Sequence, residues 1–317
     1  MATHKNASKA VTTPLIHIGY HKTGTTWLQD NLFANAEAGF VTPWSPRDVI
    51  CELVVADPFD FDAEAASAYF GPGIASASHD GLVPVVTHER LSGSPYSGGF
   101  DSKTIGERLA AVFPRGRVLI MIREQKSMIV SVYKQYIRVG GPATIETFIT
   151  LPFHQRYSVP AYDLRFHEYH RQIRHYQALF GRDRVLVLPF ERLKRDSNAV
   201  VSEISTFALS RKLAAISPER RNVGMGGLSA ALTRPLNLLF SRSSLNPGAP
   251  FYAQGFNHVV QQASIAMDEH LPASWNELYD KRLRRHVEEV AGPRFRESNR
   301  LTSELIGIDL KSLGYDC

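Results

Sequence analysis

Cysteine is nearly missing: of 317 residues only Cys51 and Cys317 carry a thiol, which excludes a disulfide framework and a thiolate metal site. Long apolar runs are missing too. No stretch of 18 residues is apolar enough for a membrane span, and the polar start from Met1 to Thr13 lacks the core of a secretory leader. A cytoplasmic protein is expected. Neither sign of charge dominates, since 36 basic against 31 acidic residues leave +5; that suits a small polyanionic ligand and gives no reason to expect nucleic acid. Repeats and low-complexity tracts are absent, and a 44% hydrophobic composition over this length can bury one large core. The expected organisation is a polar arm over 1–13 and a single domain over 14–317.

What is present begins at Ile16. An apolar run breaks at Gly19 into the polar loop Tyr20 to Gly24 and resumes as a helix. Compared with the phosphate-loop pattern Gly-x-x-x-x-Gly-Lys-Ser/Thr, Gly19, Gly24 and Thr26 keep their places. Thr25 holds the lysine slot, and Lys22 sits three residues earlier. Gly24 allows the backbone close to an anion, and the first turn of the following helix leaves N–H groups unpaired. Lys22, Thr23, Gly24, Thr25, Thr26 and Trp27 are therefore read as the ligand-binding turn.

A second constellation follows a second buried strand. Arg117 to Ile122 is a continuous aliphatic run that ends on Arg123, and the next segment reads as a helix with Ser127 and Ser131 one turn apart. An arginine fork and a serine hydroxyl placed this way can converge on one phosphate. The bland alternative pairs Arg123 with Glu124 or Glu89. Between the two constellations, the short strand from Leu82 leads into Thr87, His88 and Glu89, and strand carboxyl ends are where open α/β sheets hold ligands.

The run His21 to Leu28 resembles the 5′-phosphosulfate loop of sulfotransferases that use 3′-phosphoadenosine-5′-phosphosulfate (PAPS). Arg123 and Ser131, with Tyr133 close behind, resemble that family's 3′-phosphate site. The resemblance implies a three-layer α/β fold like that of P-loop NTPases, with a parallel central sheet flanked by helices. It implies sulfuryl transfer from PAPS to a hydroxyl, less readily an amine, of a small-molecule or glycan acceptor, with no metal. Lys22 would then act at the bridging oxygen. Glu89 or His88 would be the base, since an attacking hydroxyl becomes acidic as its bond to sulfur forms; alternation along the strand lets only one face the cleft, and Glu89 is preferred. A late basic, glycine-rich segment after Arg220 adds Arg221 as a further cofactor contact. A soluble chain of this kind looks more like a bacterial member than an anchored animal one.

Elsewhere, helices are expected over Thr25–Ala36, Ser45–Ala56, Asp163–Phe180 and Ser197–Leu209, with another starting near Leu228 and a strand over 185–190. In the helix from Asp163, Phe166, Tyr169, Ile173, Tyr176 and Phe180 form the apolar face, and His167, His170, Arg171 and Arg174 a solvated one. The Ala-, Ser- and Gly-rich span from Asp57 to Gly81 reads as a variable connection, and Ser92 to Ser102 as a flexible loop beside the base. Phe251 to Phe256 reads as a lid or an oligomer contact, and the oligomeric state is open. Two rivals remain: a nucleotide kinase or NTPase with Asp57 as its magnesium carboxylate, and a non-catalytic nucleotide-binding protein of the same fold.

Overall fold

Period-two alternation in the aliphatic strands sorts their side chains onto two faces of one sheet. In the computed structural model, which describes residues 12–150, 161–209, 225–242, 245–251 and 272–317 and single positions at 259, 262, 263, 266 and 270, strand β4 (Arg117–Ile122) shows this directly. Val118, Ile120 and Ile122 enter one core, while Leu119 and Met121 enter the other. The same split divides Ile16 and Ile18 from Leu15 in β1 (Leu15–Gly19), and Val86 from Val83 and Val85 in β3 (Val83–Thr87). A sheet buried on both faces requires helices on both.

Five parallel strands run in the order β2-β3-β1-β4-β5, with β2 at Phe40–Val41 and β5 at Val185–Pro189. This is the parallel, helix-flanked P-loop-like sheet expected from the sequence. Chain order reverses direction across the sheet between β1 and β4, and ligands of open α/β sheets bind at such switch points. One face is covered by α1 (Thr25–Leu28, widening to a π-helical turn over Gln29–Phe33) and by helices beyond β5 that supply Leu193, Val200 and Ile204. Against the other pack α2 (Pro46–Leu53), α3 (Ala63–Asp80), α4 (Ser102–Val112), α5 (Gln125–Arg138), a short α6 (Ile145–Ile149) and α7 (Tyr169–Phe180). After β5 come α8 (Phe190–Arg195), α9 (Ser197–Leu209), α10 (Gly227–Phe240), α11 (Ala273–Ala291) and α12 (Arg296–Ile306). No helix among the described residues is long and apolar enough to cross a membrane.

Three expectations are corrected. The span from Asp57 to Gly81 is not a loose connection, because Asp62 caps α3 by accepting from Glu64 N (2.8 Å) and Ala65 N (3.1 Å). Alanine-rich sequence then carries the helix through Pro72. Gly73 is required there, since a Cβ would lie 2.8 Å from the Trp44 ring. The segment from Ser92 to Ser102 is built from tight turns held by Asp101, which pairs with Arg90 (2.7 Å) and accepts from Ser94 N (3.0 Å). His167 does not face solvent: the helix expected from Asp163 begins as a 3-10 turn over Leu164–His167, which breaks the 3.6 period. His167 is fully buried, with Nε2 2.7 Å from the Tyr162 hydroxyl. The apolar face of that helix is buried as expected.

The amino end of α5 is clamped by buried amides. Gln125 Nε2 donates to Asn299 Oδ1, while Asn299 Nδ2 donates to Gln125 Oε1 (3.1 Å) and to the Asp316 carbonyl (2.8 Å). Asn299→Ala would leave those acceptors buried and unpaired. It is expected to cost about 2–4 kcal/mol of unfolding free energy, read from urea denaturation. A loss well under 1 kcal/mol would show that the network does not hold the helix as described.

Candidate active site

The loop after β1 is set by backbone conformation. Lys22 has φ 66° and Gly24 φ 87°, so two of its residues are left-handed, one of them not glycine. Such a lysine is held against its own preference by its surroundings. The Thr23 hydroxyl donates to the Tyr20 carbonyl, and Tyr20 N donates to Met121 O (3.2 Å), anchoring the loop to β4. A Cβ on Gly24 would come within 2.8 Å of Leu193 and 3.0 Å of the Phe190 ring, both on α8. A Cβ on Gly19 would lie 2.4 Å from Thr25 Oγ1, so this glycine makes room for the threonine. Thr25 Oγ1 is buried without a hydrogen-bond partner among the described residues, a donor still to be satisfied. Thr26 is exposed and Trp27 half-buried.

Lys22 is half-buried. Burial lowers the pKa of its ammonium, Glu89 works in the opposite direction, and Arg138, Arg123 and Lys134 add to the lowering. A cation held on these terms lies in a cleft where negative charge is welcome.

Arg123, at the end of β4, reaches across the switch point. Its Nη1 donates to the Lys22 carbonyl (3.0 Å) and its Nε to Ser127 Oγ (3.1 Å), and the guanidinium lies 5.3 Å from the centre of the Phe190 ring. The carboxylate pairing considered from sequence is not made. Glu124 is occupied as the cap of α5, accepting from Lys126 N and Ser127 N (2.8 Å each), and Glu89 lies beside His21. Arg123 is itself fixed, since the Tyr169 hydroxyl donates to its carbonyl (2.6 Å). Glu191 accepts from Glu124 N (3.1 Å) and the Tyr315 hydroxyl (2.9 Å). Ser131 lies one turn beyond Ser127 on α5 and is half-buried.

The two candidate bases differ in what their atoms are already doing. His88 continues the β3 backbone and caps the next turn, its Nδ1 accepting from Arg90 N (3.0 Å). Burial, then Arg90, lower its pKa, and with Nδ1 accepting, the ring proton sits on Nε2. Glu89 Oε1 lies 3.7 Å from His21 Nε2. Burial raises the pKa of its carboxyl, and Lys22 and Arg90 oppose the rise.

The structure therefore brings Lys22, Thr23, Gly24, Thr25, Arg123 and Glu89 to the carboxyl ends of β1, β3 and β4. Arg221 and most of the expected lid lie outside the described residues, so neither is placed. Sequence reasoning passed over His17 and His21. His17, buried in β1, lies with Nδ1 2.8 Å from Thr87 Oγ1, which also accepts from Gln29 (3.2 Å); burial lowers its pKa to about 3. His21 is nearly buried and is likewise lowered to about 3, chiefly by burial and then by Arg90. A histidine inside an otherwise aliphatic strand and another inside the phosphate loop were the available signals.

No curated protein sequence matches the chain. Solved structures similar to it include a sulfotransferase from Alicyclobacillus acidocaldarius, at 18% identity over 71% of this chain and 92% of that one, TM-score 0.48. The sulfotransferase domain of the Synechococcus PCC 7002 olefin synthase is also similar, at 12% identity over 86% and 94%, TM-score 0.40. A third is the sulfotransferase domain of the curacin biosynthetic pathway, at 14% identity over 88% and 98%, TM-score 0.37. At these scores the three likenesses carry no weight in the argument. The sulfotransferase domain family matches residues 108–215, less than half of the chain. That segment contains β4, Arg123, Ser131 and β5, and the match bears out the sulfotransferase resemblance first carried by the loop at Lys22.

Proposed function

We propose that the protein transfers the sulfuryl group of PAPS to a hydroxyl of a small-molecule or glycan acceptor. The observation that carries this is the hydrogen bond from Arg123 to the Lys22 carbonyl. It brings the loop read as the 5′-phosphosulfate site against the arginine read as a 3′-phosphate ligand, at the switch point of the sheet. The bound donor supplies an activated sulfuryl group on a phosphate leaving group.

The fit rests on the residues themselves. Thr25 offers an unpaired buried hydroxyl, Gly24 a left-handed turn at the start of α1, Arg123 a guanidinium fork at the end of β4, and Ser131 a hydroxyl one turn beyond Ser127 on α5. Lys22 stabilises charge on the bridging oxygen as its bond to sulfur breaks, with Thr25 and Thr26 beside it. Arg123 and Ser131 fix the nucleotide so that the sulfur faces the acceptor oxygen. As the new oxygen–sulfur bond forms, Glu89 takes the acceptor proton. His88 is less suited to that task, because its one lone-pair nitrogen already accepts from Arg90 N. A bacterial-type enzyme acting in the cytoplasm is part of the same reading.

The kinase alternative loses its metal carboxylate, since Asp57 is exposed beyond α2 and caps a turn at Phe59 rather than ending a strand. Calorimetric titration separates the two. Adenosine 3′,5′-bisphosphate should bind without magnesium at least about tenfold more tightly than ADP. Magnesium-dependent binding of ATP, with no preference for the 3′-phosphate, would overturn the proposal.

A further inference from the structure

Helices α5 and α11 pass each other antiparallel, tied by two ion pairs. Lys134 Nζ pairs with the Asp280 carboxylate (3.0 Å to each oxygen), and Lys126 Nζ with Glu288 (2.5 Å). Lys134 and Lys126 are as far apart on α5 as Asp280 and Glu288 are on α11, so the two contacts share one register. Asp280, Arg284 and Glu288 recur at helical spacing on the same face of α11. Midway between the pairs, Arg284 therefore faces α5 near Val130, between Ser127 and Ser131.

The charge pattern inverts there. At both flanks α5 supplies a lysine and α11 an acid, whereas in the middle α11 supplies a cation and α5 only hydroxyls. Arg284 is exposed and has no ion pair or hydrogen bond among the described residues. At Arg123 burial lowers the guanidinium's pKa, Glu191, Tyr169 and Glu124 oppose the fall, and Arg284 adds to it. The carboxylates near Arg123 are committed elsewhere, Glu124 to the cap of α5 and Glu191 to Glu124 N and Tyr315. With Arg123 on Ser127 and Arg284 opposite Val130 by register, two guanidinium groups flank the turn from Ser127 to Ser131 and repel each other unless an anion lies between them.

We propose that Arg284 is a third ligand of the anion held by Arg123 and Ser131, the nucleotide 3′-phosphate, reaching it from α11. This rests on the 3′-phosphate reading of the preceding subsection. It places one ligand outside the family-matched segment, on a helix that no loop motif identifies.

The test is calorimetric titration of wild type, Arg284→Gln and Arg284→Lys with adenosine 3′,5′-bisphosphate and with 5′-AMP, which lacks only the 3′-phosphate. The loss of one charge-assisted contact should weaken the bisphosphate about 10- to 100-fold in Arg284→Gln, leave 5′-AMP within about twofold, and be partly restored in Arg284→Lys. Because Arg284 is exposed, both variants should melt like wild type. An unchanged preference for the bisphosphate in Arg284→Gln, or equal weakening of both nucleotides, would overturn the role of Arg284 alone. No preference in wild type would instead overturn the 3′-phosphate reading itself.

Discussion

Lys22→Ala is expected to lower kcat by about 10²–10³-fold while weakening adenosine 3′,5′-bisphosphate by less than about tenfold. The substitution isolates the ammonium. Alanine and lysine meet the same steric penalty at φ 66°, so the strained backbone and the Lys22 carbonyl that receives Arg123 stay in place. Lys22→Gly would relax the loop as well and confound the two effects. The ammonium is half-buried and works against desolvation, so its interaction with a developing charge is stronger than at the surface. That charge grows on the bridging oxygen only as the bond to sulfur breaks, which is why turnover rather than product affinity should register the loss. Steady-state kinetics with an acceptor, paired with calorimetry of the bisphosphate, distinguishes the cases. Preserved turnover with weakened binding would make Lys22 a ground-state ligand and nothing more.

The parts of the molecule that were legible in the sequence are those fixed by local pattern. β1, β4 and β5 announced themselves because a strand buried on both faces is mostly aliphatic, with His17 the exception in β1. The glycine, threonine and lysine spacing of the loop was readable because it keeps three places of the phosphate-loop pattern and displaces the lysine. Ser127 and Ser131 followed from helical spacing after a strand-end arginine. What was not legible depends on partners distant in sequence. Alanine, glycine and proline between Asp57 and Gly81 look like a linker until Asp62 caps the segment and Trp44 covers Gly73. His167 has the spacing of a solvated residue until a 3-10 turn rotates it onto Tyr162. Arg284 is one of several charged residues in a helix of balanced charge, and only its register against α5 separates it from its neighbours. Alternation along the strand already set Glu89 against His88, with Glu89 preferred as the proposed base, and the hydrogen bond from Arg90 N to His88 adds a reason that no pattern carries.

Glu89→Gln is expected to lower kcat/KM by about 10²–10⁴-fold, the range for loss of a general base, and to remove the acidic limb of the pH profile. The sign follows from the environment. A base acts deprotonated, so activity rises as pH climbs through its pKa. Burial raises that of Glu89 above the ordinary carboxylate value, and Lys22 and Arg90 restrain the rise. The acidic limb of wild type should therefore lie above the range of an exposed glutamate. Lys22 sets the other limb: it must stay charged, and burial lowers its pKa, so activity should fall on the alkaline side earlier than an exposed lysine would dictate. Both limbs are drawn inward by the same desolvated cleft. His88→Ala provides the control, since that ring spends its Nδ1 lone pair on Arg90 N and carries its proton on Nε2. It should retain the acidic limb at a reduced rate, because the turn carrying Glu89 loses its cap. A limb that disappears in His88→Ala and survives in Glu89→Gln would exchange the two roles, and would require the hydrogen bond to Arg90 N to break when the acceptor binds.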